Sequence, residues 1–61
     1  MKYAVRIKNG VPVSVIPETL REAGEIYYSV FDGSAEIVVD AETAEEAVTK
    51  AKEMYERTVR K

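Results

Sequence analysis

Two blocks of alternating apolar and polar residues precede one block of helical spacing in this chain. From Lys2 to Lys8, Tyr3, Val5 and Ile7 alternate with Lys2, Ala4, Arg6 and Lys8, the period of a half-buried strand. Asn9-Gly10 is a turn signal, after which Val11, Val13 and Val15 alternate with Pro12, Ser14 and Ile16. A two-residue turn at Asn9-Gly10 would set Val13 against Arg6 and mix the two faces. A three-residue loop, Lys8-Asn9-Gly10, pairs Ile7 with Val11, Val5 with Val13 and Tyr3 with Val15, and predicts a type I turn with Gly10 left-handed in a bulge. Pro12 has no amide hydrogen to give a ladder, which places its strand at a sheet edge.

The segment 17–24, PETLREAG, reads as a linker with a short helix. Pro17 ends the strand, Gly24 stops the helix, and Leu20 is the inward anchor. Residues 25–31 and 34–40 then form a second hairpin about an Asp32-Gly33 turn of type I′. That register pairs Val30 with Ala35, Tyr28 with Ile37 and Ile26 with Val39 on an inner face. It sets Phe31 with Ser34, Ser29 with Glu36 and Tyr27 with Val38 on the outer one.

Residues 43–60 read as an amphipathic helix. Thr43-Ala44-Glu45-Glu46 has the form of a capping box, in which the Thr43 hydroxyl accepts from the third amide and Glu46 returns to the Thr43 amide. Such a cap contributes about 1 kcal/mol. Ala44, Ala47, Val48, Ala51, Met54, Tyr55 and Val59 recur as a single apolar stripe. Glu46–Lys50, Glu53–Arg57 and Glu56–Arg60 line the polar side, each with the acid four residues ahead of the cation. The expected fold is a single α+β domain spanning 1–61: hairpin 2–16, linker 17–24, hairpin 25–40 and a C-terminal helix on one face of a four-stranded antiparallel sheet.

Composition sharpens this picture. The chain has 61 residues and a net charge of −2. A domain of this size buries only about 60% of its unfolded surface, so association with a second chain would add needed burial. Cations Lys2, Arg6 and Lys8 stand alone in residues 1–16. Nine acids face only Arg21 in residues 17–46, and cations prevail again in 47–61. An acidic centre argues against broad phosphate-backbone binding and suits a partner with a basic patch. No long apolar run or charged-then-apolar leader is present, which points away from the membrane. With no Cys to signal an oxidising compartment, the cytoplasm is the expected location.

The sequence has no His and no Cys, which removes the commonest general base, the thiol nucleophile and the usual transition-metal ligands. Gly10, Gly24 and Gly33 lie too far apart to cradle a phosphate. Glu42, Glu45 and Glu46 cluster, but a helix cap and its dipole account for them. The expectation is a non-enzyme with no catalytic residues, no metal and no cofactor. One helix covers one sheet face, so the other should display Tyr27, Phe31, Val38 and Ile16 with Glu36 and Arg6. This face is the candidate partner-binding surface. It suits a protein partner. Alternatives are a structural homodimer formed through the same patch, and a nucleic-acid binder stacking bases on Tyr27 and Phe31 near Arg6; Glu36 and the acidic centre oppose the last.

Met1-Lys2-Tyr3-Ala4-Val5-Arg6-Ile7, Val15-Ile16-Pro17-Glu18 and Thr43-Ala44-Glu45-Glu46-Ala47-Val48 resemble the opening strand, the V-P-E segment and the helix cap of HicB-type antitoxins. The chain departs from that pattern in lacking a Pro-Gly-Cys after Leu20 and in carrying extra residues around Tyr27 to Gly33. Val39 to Ala47 is also similar to the V-x-A-x-[ST]-x-E-E-A ending of small DpnD/PcfM-like phage and plasmid proteins. These resemblances imply a small non-enzymatic protein of mobile-element type. The first also implies inhibition by binding a partner protein.

Overall fold

The computed structural model describes residues 1–29 and 31–59, with Val59 in its backbone only. Four strands and one helix follow in the order β1 (Lys2–Lys8), β2 (Val11–Pro17), β3 (Ile26–Tyr28), β4 (Ser34–Asp40) and α1 (Ala44–Val59). The sheet is antiparallel with strand order β2-β1-β4-β3. The α+β architecture follows from the pattern: alternation makes strands, and one amphipathic helix seals one face. Val5, Ile7, Ile37 and Val39 meet Ala47 and Ala51 there, with Tyr3, Val15, Ile26, Val48, Met54 and Tyr55 partly buried around them.

Both hairpins change their registers. The second keeps the expected side-chain facing, and the first keeps it for Tyr3, Val5, Ile7 and Val15. Val11 and Val13, expected inward beside Ile7 and Val5, are 57% and 54% exposed. Asn9 and Gly10 both have positive φ, 55° and 77°, so the first turn is a two-residue turn and not a three-residue loop. Lys8 pairs with Val11 and Ile7 with Pro12. A bulge then lets Val13 slip by, and Arg6 pairs with Ser14, Val5 with Val15 and Ala4 with Ile16. The turn chemistry and the facing of Val15 are thus both satisfied, at the cost of one extra residue. In the second hairpin Ile26 pairs with Ile37, Tyr27 with Glu36 and Tyr28 with Ala35. Ser29 N–H donates to Ser34 O at 2.9 Å and Gly33 N–H to Ser29 O at 3.1 Å, closing a four-residue loop in place of the Asp32-Gly33 turn. Asp32 Oδ1 accepts from the Ser34 amide and hydroxyl at 3.1 and 2.7 Å, which spends the acid on the loop itself. The expected pairing of Val30 lies outside the described residues.

Segment 17–25 is not helical. The Glu18 carboxylate accepts from the Leu20 and Arg21 amides at 3.2 and 3.1 Å, the arrangement of a helix N-cap, but no helical turn follows it. Leu20, expected to point inward, is 90% exposed, and Arg21 turns in instead. Gly24, at φ 97°, donates to Val38 O, and Val38 N–H donates to Glu25 O, the arrangement of a glycine bulge leading into β3. The segment therefore acts as a strap from the β2 edge to the β3 edge.

The helix is capped much as its sequence predicts. Glu46 N–H donates to Thr43 Oγ1 at 3.1 Å, while the Glu46 carboxylate returns to the Glu42 amide at 2.9 Å rather than to Thr43. Ala47 and Ala51 are buried, but Ala44 is exposed and stands outside the stripe. Glu46–Lys50 forms at 3.7 Å, and Lys50 also donates to Asp40 O at 2.8 Å. The Val59 side chain and the Glu56–Arg60 pair lie outside the described residues. The helix rests on β4, β1 and β2, and among the described residues no Cα of β3 comes within 8 Å of one in the helix. A helix about 10 Å across spans two or three strands spaced about 4.8 Å apart, so a fourth strand is left out. Tyr28, on the helix side of β3, is accordingly 59% exposed rather than buried under α1.

Candidate protein-interaction face

The register lines up Ser14, Arg6, Glu36 and Tyr27 across the face opposite the helix. The next row holds Ile16, Ala4 and Val38. The strap sits on this face. Arg21 donates to Glu36 at 2.5 Å and to Glu18 at 2.7 Å, and its guanidinium lies 5.0 Å from the centre of the Tyr27 ring. Ala4 and Val38 are 1% and 0% exposed, outside the cluster under the helix. With the helix on the opposite side, the strap is the element left to cover them.

The six residues expected to form one patch are consequently divided. Val38, expected on the surface, is sealed. Glu36 is drawn into the ion pair with Arg21, its side chain 21% exposed. Arg6 is exposed, and Ile16, on β2, is half exposed. Tyr27 keeps 40% of its surface and donates its hydroxyl to Glu25; Phe31, in the loop after β3, is 97% exposed. Tyr28 joins these two from the other side of the strand, so three of the chain's five aromatic residues are exposed on β3 and its loop. The alternation pattern missed Tyr28 because it counted faces and not the width of the helix. Arg21 did carry a signal, as the lone cation among nine acids.

On the helix side, an open groove of about 390 Å³ runs between Ala23-Gly24 and α1. Val39 and Met54 line it, with Lys50 and Arg57 set against Asp40 and Glu53. Among the described residues no group of three acids could hold a metal ion. Among the described residues no helix is long and apolar enough to cross a membrane.

The electrostatics follow the strap and the loop. The Arg21 side chain, then its amide, hold Glu18 down to about 2 from an ordinary 4.5. Both acids push the Arg21 guanidinium up, Glu18 first. The Ser34 hydroxyl and amide, with Ser29, hold Asp32 down to about 2 from 3.8. The Tyr27 hydroxyl lowers Glu25, and Glu25 in turn raises Tyr27. Glu18 and Asp32 bind protons more readily unfolded than folded, so acid favours the unfolded chain. Stability should be flat between about pH 5 and 9, fall as pH drops from about 4.5 toward 2, and fall again above about pH 10, where Tyr27 ionises more readily unfolded than folded. Urea midpoints measured across that range test this. Arg21→Ala should flatten the part of the slope that belongs to Glu18, and an unchanged slope would show that the strap pair does not form.

No family model matches this chain, and no curated protein and no solved structure matches it.

Proposed function

We propose that this chain is a non-catalytic, protein-binding module of the cytoplasm, acting as an inhibitor of antitoxin type by occupying its partner. One observation supports the reading most: Tyr27, Tyr28 and Phe31 are exposed together on an edge strand and the loop that follows. Tyrosine and phenylalanine are enriched in the cores of protein interfaces. The lack of His and Cys leaves little to build catalysis on, and the lack of Cys suits a reducing compartment. The resemblance of the opening strand and helix cap to HicB-type antitoxins supplies the class of partner, a protein silenced by being bound.

A Tyr28→Glu/Phe31→Glu double variant tests the reading. Both side chains are largely in solvent, so the variant should melt within about 1 kcal/mol of the native chain. In pull-downs from the source cell, a protein captured by the native chain should be lost by the variant. Equal capture by both would remove this surface from the function.

A further inference from the structure

The two edges of the sheet differ in what their backbones offer. Glu18 N–H donates to Lys2 O at 2.9 Å, so Glu18, Ile16 and Ser14 turn their backbone groups toward β1. Pro12, Val15 and Pro17 turn theirs outward, and two of these three have no N–H to give. Prolines at outward positions blunt an edge against further pairing. On the other side, Ser29 pairs with Ser34 and Val38 N–H donates to Glu25 O, so Glu25, Tyr27 and Ser29 face β4. Ile26 and Tyr28 turn their amides and carbonyls outward. Neither is proline, and the helix does not reach this strand.

The flanks of β3 are acidic. Glu22 and Glu25 precede it and Asp32 follows it, while the adjacent cation, Arg21, is already paired with Glu18 and Glu36. A second copy on this edge would bring six such carboxylates along one short seam. A basic strand would bring none.

We infer that β3 is the docking edge for an extended, basic segment of a partner protein, which adds to the sheet as a fifth strand beside Ile26 and Tyr28. The inference rests on the protein-binding reading above and names the chemistry of its partner. Alternation in the guest would set apolar side chains beside Ile26 and Tyr28, and Lys or Arg beside Glu25 and Tyr27. Backbone hydrogen bonds would supply affinity, and the carboxylates the preference for cations.

The probe is the peptide acetyl-Lys-Val-Lys-Val-Lys-Val-Lys-amide, added to the isotopically labelled chain, with amide exchange read by NMR. The Ile26 and Tyr28 amides should slow about tenfold when about nine-tenths of the chain is occupied, because only the free fraction exchanges. The Val15 amide, on the blunted edge, should not change. Added salt should weaken the effect, and the same peptide with Glu for Lys should have none. Binding without protection of these two amides, or equal binding by a peptide N-methylated at alternate residues, would overturn strand addition. Protection that rises with protein concentration alone would overturn the basic partner in favour of a second copy. If the native chain captures a protein that the Tyr28→Glu/Phe31→Glu variant loses, yet the probe protects neither amide, protein binding stands and strand addition fails.

Discussion

Val38→Glu should unfold the chain, although simple alternation would set Val38 on the same outward surface as Phe31. Val38 is 0% exposed and lies beside Ala4, between the sheet and the strap. A carboxylate there finds no cation in place, since Arg21 is held by Glu36 and Glu18. Burying a charge without a partner costs several kcal/mol. The whole stability of a chain this size is about 3 to 9 kcal/mol. Phe31→Glu, at a residue 97% exposed, should stay within about 0.5 kcal/mol of the native chain. Far-UV circular dichroism with urea titration separates the two. A Val38→Glu chain as stable as the native one would mean that the strap does not seal this face.

Ile37→Ala should be nearly as damaging, with a loss of about 2 to 5 kcal/mol. Ile37 stands between Val5 and Ile26 in the sheet and belongs to the cluster that includes Ala47 and Ala51. The alanines bring the helix close but cannot refill a lost side chain. Tyr28→Ala, on the same side of the sheet but 59% exposed, should cost no more than about 1 kcal/mol. Ile37→Val, at about 0.5 to 1.5 kcal/mol, keeps enough folded protein for a midpoint to be measured. Equal losses for Ile37→Ala and Tyr28→Ala would mean that the helix covers β3 after all.

These two contrasts mark where the sequence was legible and where it was not. Facing was legible for Tyr3, Val5, Ile7, Val15, Ile26, Ile37 and Val39, which all lie on the helix side, but not for Val11 and Val13, which are exposed. Register was not legible. Val5 meets Val15 instead of Val13, and Ile26 meets Ile37 instead of Val39, each a slip of two positions. A slip of two returns every side chain to its face, so the hydrophobic pattern cannot choose; beside the first turn the slip is one, Val11 meeting Lys8 instead of Ile7, and the bulge at Val13 restores the facing further along. Turn chemistry made that choice through Asn9 and Gly10 in one hairpin and through Asp32 with Ser34 in the other. The candidate surface was half legible. Tyr27 and Phe31 could be read from alternation, but the strap that hides Val38 depends on Arg21 reaching Glu36, fifteen positions away, and no local pattern encodes that reach.

The central pairing of β1 with β4 also fixes when this chain can fold. Its seam ends where the Met1 amine meets Asp40, 39 positions apart, and where Ala41 N–H donates to Met1 O at 2.8 Å. During synthesis the β1–β2 hairpin leaves the ribosome early, yet one side of β1 stays bare until β4 follows. Closing so long a loop is slow relative to forming a local hairpin. That interval exposes the chain most to wrong pairing. The prolines of β2 then guard one side of the nascent hairpin, while β1 waits for the strand that completes it.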